Sequence, residues 1–409
     1  MPVLKGRLAR DIDNLNSHNA SPGKGVTRLT FTPEYMAAWE YLIEELKKLG
    51  AEIKINRAGN LTGRLPGKAP DLPRVMVGSH IDTVLNGGRF DGVVGVAAAL
   101  EAARVISEEG FPHRHPIEVV VFPEEEGSRF GTILAGSRAW AGKIDQAAFD
   151  RLKDKKGLTY AQAMAEAGLV SDDDSLLDPG SVKVMLELHI EQSVVLESKG
   201  LRIGLVEAIA GIKSFLLTVA GVANHAGGTP MDHRQDALQG AAKIISAVEE
   251  IVPHRAGPHT VATVGYLSCE PGQSNVIPGR VELTVDVRDS DPVLLDKAAA
   301  DILAAARKVC SERDLTCEIE PRSDTPPIVL APRVIDILEE KARQLGLEPL
   351  RMISGALHDS SVIAQVADGG MVFVPSKAGR SHCPEEETDL EDIELGARVL
   401  LEAVKELAA

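Results

Sequence analysis

Short, continuously apolar runs separated by helical patterns restrict this chain more than any other feature. AEIKI at 51–55, VMVGSH at 75–80, IEVVVF at 117–122 and VMLELHI at 184–190 read as strands. Such runs fit a sheet covered on both faces, because a half-wet strand would alternate. Helical spacing fills the gaps: Met36, Trp39, Leu42, Ile43 and Leu46 repeat within 33–49 before Gly50, and further patterns run over Gly95–Glu109 and Gln162–Ala167. Strands alternating with helices predict an α/β layer with a mostly parallel sheet.

After Gly211 the texture changes. IKSFLLTVAG alternates like a half-exposed strand, followed by a helix over Asp236–Ile251, strands at Thr260–Ser268 and Arg280–Arg288, a helix over Pro292–Glu312 and a strand at Leu315–Glu320. That order, βαββαβ, predicts a ferredoxin-like α+β unit whose helices cover one sheet face. The turn cluster Ser323–Pro327 then returns the chain to α/β texture, with a helix at Arg333–Leu345 and a strand at Met371–Pro375. The expected organisation is therefore a catalytic domain of 1–211 and 329–409 with 212–328 inserted.

At 409 residues the chain exceeds one ordinary core, in keeping with two domains. A formal net charge of -16 argues against nucleic-acid binding, because a phosphate backbone needs a basic surface. The cysteines, Cys269, Cys310, Cys317 and Cys383, show no paired spacing, and the first residues carry charges with no apolar stretch. No run approaches membrane-spanning length, so the expected setting is cytoplasmic, with reduced thiols and no membrane partner.

The chemistry-bearing residues gather at strand ends, where open α/β sheets collect ligands. GSHIDTVLNGGRFDG carries His80, with Asp82 two residues on as a carboxylate able to fix the imidazole tautomer, and Asp91 in a glycine-rich loop. VVVFPEEEGSRFG places Glu124, Glu125 and Glu126 directly after an apolar strand, where three carboxylates call for a positive partner. His189 lies inside ELHIEQS and His382 inside VPSKAGRSHCPEE; alone, the first reads as a buried, hydrogen-bonded histidine and the second is ambiguous. Together the set offers mixed nitrogen and oxygen ligands for two divalent ions, suited to Zn2+, Mn2+, Co2+ or Ni2+ rather than Mg2+ or Ca2+. In the inserted segment, His225, Asn275 and Arg288 sit near element ends as a set of anion and carbonyl donors.

GSHIDTVxxGGxxDGxxGVxxALE, EEEGSRF, HIEQ, ANHAG-TPM-R-DAL, SNVIPG and SH-P-E occur in order from about Gly25 to the C-terminus. They resemble the binuclear amidohydrolase branch of the metallopeptidase family that holds the N-carbamoyl-L-amino-acid hydrolases and allantoate amidohydrolases. The resemblance implies one metal held by His80, Asp91 and His189 and another by Asp91, Glu126 and His382, with Glu125 as general base. The run of three glutamates itself leaves the register open; the resemblance makes Glu124 structural. It further implies that Arg288 and Asn275 take the substrate carboxylate, Gln192 contacts the amide, and His225 serves the oxyanion, commonly from the partner subunit of a homodimer. The implied reaction is hydrolysis of the carbamoyl C–N bond of an N-carbamoyl-L-α-amino acid, with allantoate, then a dipeptide or acylamino acid, as alternative substrates. Outside catalysis, a non-catalytic metal-binding protein is the other class, and the Glu125–Glu126 pair counts against it. Ser193-Val194, Gly228, Leu357 and Cys383 depart from the family pattern around the substrate residues, not at the ligands.

Overall fold

The apolar runs of the first half become neighbouring strands in one sheet. Strands β1 (Glu52–Ile55), β2 (Leu61–Leu65), β3 (Arg74–His80), β4 (Ile117–Phe122) and β5 (Val182–Ile190) take the order β1-β2-β4-β3-β5, followed by the strand Asp368–Val374. The computed structural model describes residues 3–169, 175–255 and 257–409. The chain forms two compact units: a larger one, Met1–Glu207 with Leu330–Ser354 and His358–Ala409, and a smaller one, Ala208–Val329 with Gly355–Leu357.

In the larger unit β4, β3, β5 and Asp368–Val374 run parallel. The sheet is not parallel throughout: β1 on β2, β2 on β4, and Ile203–Ile209 on Asp368–Val374 are antiparallel. The five residues between β1 and β2 are too few for a crossover, so those strands must turn back as a hairpin. AEIKI is accordingly a half-exposed outer strand rather than a buried one. The four parallel strands are buried almost end to end, which is why their sequences do not alternate.

Helices α1 (Lys5–Ser17), α2 (Pro33–Lys48) and α3 (Val93–Glu109) are set by different signals. Helix α2 starts where Thr32 accepts the Tyr35 N–H and Pro33 fills the first turn; it buries Tyr35, Ala38, Trp39, Leu42 and Leu46 on one face. Helix α3 is buried on all sides from Val93 to Ile106, against β3, β4, β5, α1 and the C-terminal helix Leu390–Ala408. Small side chains permit this. At Gly95 a Cβ would lie 2.5 Å from the Leu188 carbonyl oxygen. A helix without a wet face can keep charges only with partners. Glu101 accepts from Arg7 Nη2 at 2.8 Å and from the Leu4 N–H at 3.0 Å, while Arg104 pairs with Asp11 of α1 and Glu45 of α2.

The smaller unit is an antiparallel sheet in the order Leu267–Glu270, Arg280–Asp289, Gly211–Ala220, Thr316–Thr325. Helices Ala237–Arg255 and Pro292–Ser311 cover one face. Val281, Leu283, Val285 and Val287 alternate into that core, as the period of two requires. Two sequence expectations change here. The single strand expected at Thr260–Ser268 is split into Val261–Thr263 and Leu267–Glu270. Thr263 pairs with Asp286 and Leu267 with Leu283, so one extra residue bulges between them. Ser323–Thr325 is strand rather than turn; Pro321 interrupts the register, and an edge strand tolerates that.

Arg104→Met keeps the side chain's bulk but strands the buried Asp11 carboxylate. It should lower the free energy of unfolding by about 3–5 kcal/mol, the usual cost of halving a buried ion pair. Urea titration followed by circular dichroism measures this; a change under about 1 kcal/mol, the worth of a surface pair, would mean that Tyr41 and Arg10 suffice for Asp11.

Candidate metal centre

Four parallel strands deliver the site residues at their C-terminal ends. His80 is the last residue of β3, Glu124–Glu126 follow β4, His189 is the penultimate residue of β5, and His382 lies in the loop after Asp368–Val374. Asp91 precedes α3, whose first turn points positive partial charge at it. Gly92 makes that turn possible: its φ is 67°, and a Cβ there would lie 2.5 Å from the His80 ring.

Asp91 is the hub. Its Oδ1 lies 3.2 Å from His189 Nε2 and 3.7 Å from His80 Nε2, and its Oδ2 lies 3.2 Å from His382 Nε2. Glu126 Oε2 is 3.4 Å from His382 Nε2, and Glu125 Oε2 is 3.8 Å from His80 Nε2. Ligand-type atoms of His80, Asp91 and His189 lie within 4.8 Å of one another, as do those of Asp91, Glu126 and His382.

Hydrogen bonds settle the tautomers. His80 Nδ1 donates to the Asp82 carbonyl at 3.1 Å and His189 Nδ1 to the Ile190 carbonyl at 3.0 Å, so both rings turn Nε2 inward. This corrects the expected role of Asp82, whose carboxylate lies 3.8 Å from His80 Nδ1. That carboxylate instead accepts the Glu125 N–H at 3.2 Å and the Glu126 N–H at 3.1 Å. The β3 and β4 ends lie side by side, so a carboxylate two residues past one strand reaches the backbone past the other.

The charges at the cluster need a cation. Burial, then Glu126, pushes the Glu125 carboxyl well above the usual carboxylate range; burial, then Asp91, does the same to Glu126. Burial pulls His80 down to about 4. It also opposes protonation of His189, but the close approach and charge of the Asp91 carboxylate outweigh it and lift that ring to about 9. Contact with Asp91 likewise lifts His382 to about 9. Among the described residues His189 Nε2 has no well-formed hydrogen bond, although it is buried against Asp91. Positive charge is wanted at that point, and a divalent ion among nitrogen and oxygen donors would supply it.

Glu124 turns away from this cluster. Its Oε1 accepts the Arg129 and Phe130 N–H groups at 3.0 and 2.6 Å, while its own N–H donates to Thr30 Oγ1. Gln192 reaches the cluster: Nε2 donates to Asp91 Oδ2 at 2.8 Å, and the buried Oε1 has no hydrogen-bond partner among the described residues.

His225, Asn275 and Arg288 belong to the smaller unit. His225 lies in a two-stranded ribbon with Val276, and Ala226 N–H donates to the Asn275 carbonyl at 3.0 Å. The Gly227 and Gly228 N–H groups both donate to His225 Nδ1, at 3.0 and 2.9 Å, which leaves Nε2 to carry the proton of the neutral ring. Arg288 donates to Asp286 through Nε at 2.8 Å and to the Gly355 carbonyl through Nη1 at 2.9 Å.

Several residues of the centre were not singled out from sequence. Glu187 shares the inward face of β5 with His189 and accepts from Ser79 and Ser360 hydroxyls at 2.6 Å each. The His358 ring stands edge-on 4.5 Å from His189, and Asp359 accepts from Ser137. Ser381 and Glu386 flank His382 and contact Asp91. The two-residue spacing of Glu187 and His189 was a usable signal; SHCPEEE offered three adjacent glutamates, Glu385, Glu386 and Glu387, with nothing to choose between them.

A family model described as peptidase family M20/M25/M40 matches residues 76–406, and the chain belongs to that family. It is 42% identical over 407 residues to an N-carbamoyl-L-amino-acid amidohydrolase of Paenarthrobacter aurescens, covering 98% of this chain and 97% of that one. It is 34% identical over 406 residues to an allantoate amidohydrolase of Bacillus subtilis, covering 99% and 98%. A crystal structure of a hydantoinase/carbamoylase-family amidase from Burkholderia multivorans matches with a TM-score of 0.94 at 34% identity, over 100% of this chain and 98% of that one. Enzymes of the family are metal-dependent with a dinuclear site. The chain is a hydrolase of carbon–nitrogen bonds other than peptide bonds.

Glu124→Ala removes the acceptor of two backbone N–H groups. It should cost about 1–3 kcal/mol of stability, the penalty for stranding buried donors, and leave bound metal unchanged. Thermal unfolding together with metal analysis checks this; loss of an ion would place Glu124 among the ligands.

Proposed function

We propose that the chain hydrolyses the carbamoyl C–N bond of N-carbamoyl-L-α-amino acids, consuming one water and yielding the amino acid, CO2 and NH3. The observation that carries this is the convergence of three imidazoles with Asp91, Glu125 and Glu126 at one sheet edge. Two divalent ions, Zn2+, Mn2+, Co2+ or Ni2+, are assigned to His80, Asp91 and His189 and to Asp91, Glu126 and His382. When bound, such ions polarise a carbonyl and lower the pKa of a water toward ~7. Glu125 takes the proton of the attacking water and returns it to the leaving nitrogen, a role supported by its place beside the ligands, with Oε2 3.8 Å from His80 Nε2. His225 Nε2–H is assigned to the developing oxyanion, supported by the tautomer that Gly227 and Gly228 impose. Gln192 Oε1 accepts from the ureido N–H.

Arg288 and Asn275 are assigned to the α-carboxylate, Arg288 for its planar fork. The carboxylate must compete with Asp286 for that fork, which favours a tightly fitting anion. Allantoate is the second reading, because it carries the same ureido and carboxylate groups and because of the 34% identity to an allantoate amidohydrolase. The smaller unit is assigned to dimerisation and to closure over substrate in a C2 homodimer, with a cytoplasmic setting. Among the described residues no helix is long and apolar enough to cross a membrane.

An ammonia-release assay over a panel of N-carbamoyl-L-amino acids and allantoate tests the substrate class. Release from a carbamoyl amino acid is expected, and it should stop on chelation and return with added metal. Release from allantoate alone would replace the first reading with the second.

Glu125→Gln should keep both ions while kcat falls roughly 10^2–10^4-fold, the usual worth of a general base. Metal analysis beside steady-state kinetics checks it, and loss of an ion from this variant would shift the assignment by one glutamate.

If each site borrows His225 from the partner, mixing the inactive His225→Ala and Glu125→Gln proteins should restore activity. Random exchange makes about half of the dimers mixed, each with one working site, so recovery approaches a quarter of wild type. No recovery despite exchange shown by mass spectrometry would place His225 in its own subunit's site or outside catalysis.

A further inference from the structure

Beside Asp91 lies a carboxylate to which the proposed reaction gives no role. Glu386 is 3% exposed and sits four residues past His382. Its Oε1 accepts the Phe90 N–H at 2.8 Å and the Asp91 N–H at 3.1 Å. Its Oε2 lies 2.7 Å from Ser381 Oγ, and the same hydroxyl lies 3.0 Å from Asp91 Oδ2. One side chain thus grips the backbone at Asp91 and, through one serine, the Asp91 carboxylate. The loop that carries His382 is thereby tied to the loop that carries Asp91. The approach is close enough to dictate sequence on the other side: a Cβ at Gly88 would fall 2.0 Å from Glu386 Oε1.

The contacts are one-sided. Ser381 touches Oδ2, the oxygen that faces His382, while Oδ1 faces His80 and His189. The Ser381 hydroxyl has a single proton and serves one carboxylate at a time. A cation on Oδ2 would relieve Asp91 of its need for that proton, and the hydroxyl could then turn wholly to Glu386.

We propose that Glu386, through Ser381 and the Phe90–Asp91 backbone, is a positioning residue for the Oδ2 side of the centre and sets how tightly the ion assigned to Asp91, Glu126 and His382 is held. This rests on the dinuclear reading above. Outer groups that orient metal ligands are typically worth about 10–100-fold in affinity. The effect should fall on one ion because the contacts fall on one oxygen.

The test is equilibrium dialysis of the full-length protein against graded Mn2+ or Zn2+, with bound metal counted by mass spectrometry and folding checked by thermal melts of the metal-free proteins. Wild type should take two ions per chain. Glu386→Ala and Ser381→Ala should each weaken one of the two ions about 10–100-fold and leave the other within about threefold. Glu386→Gln, which keeps one acceptor oxygen for the two backbone N–H groups, should lose less than Glu386→Ala. Equal weakening of both ions, or loss of metal only in step with a collapsed melt, would make Glu386 a general structural group and overturn the inference. Unchanged binding in both alanine variants would overturn it too. Fewer than two ions on wild type would instead remove the dinuclear reading, and this inference with it.

Discussion

The Asp91 carboxylate has to sit buried within 3.7 Å of three imidazole nitrogens while two further carboxylates crowd the same edge. Stripping water from that many ionisable groups is costly unless charges alternate and every remaining lone pair is used. Much of the local architecture answers that cost. Gly92 lets the chain turn against the His80 ring, α3 begins just after Asp91 with its positive end toward it, and Asp82 and Glu386 each hold two backbone N–H groups beside the ligands. The Asp82 and Glu386 carboxylates serve the same purpose in two loops. They fix main chain, and main chain fixes side-chain direction.

The sheet is what lets loops from distant parts of the sequence meet. Four parallel strands end at one edge, so residues 80, 125, 189 and 382 arrive together although some three hundred positions separate the first from the last. The buried row beneath, Glu187, His358 and Asp359 with serine hydroxyl partners, keeps the site polar below its surface and supports His189 from behind. The proposed water-activating groups stand at strand ends of the larger unit, where proton transfer has the fixed geometry it needs, and the proposed carboxylate-binding groups belong to the smaller unit.

The elements themselves were largely legible. Continuous apolar runs gave the parallel strands, period-two alternation gave Arg280–Asp289, and the helical spacing of Met36, Trp39, Leu42, Ile43 and Leu46 before Gly50 gave α2. Where reading failed, pairing partners decided. AEIKI is apolar enough for a central strand, yet its hairpin with β2 puts it outside. Ser323–Thr325 has turn composition, yet Gly211–Ala220 offers it a ladder.

Sequence alone determined the residue types, and strand-end position narrowed the candidates to a few histidines and carboxylates. Only the tertiary structure decided what each one touches. It turned Glu124 onto the Arg129 and Phe130 amides, and it gave the Asp82 carboxylate to the Glu125–Glu126 backbone instead of the His80 ring. It also raised Glu386 from one of three adjacent glutamates to a partner of Asp91. The physical reason is that hydrogen bonds are directional at about 3 Å. A one-residue change of register moves a carboxylate by more than that, and register is set by which strands lie side by side, which no local stretch of sequence records.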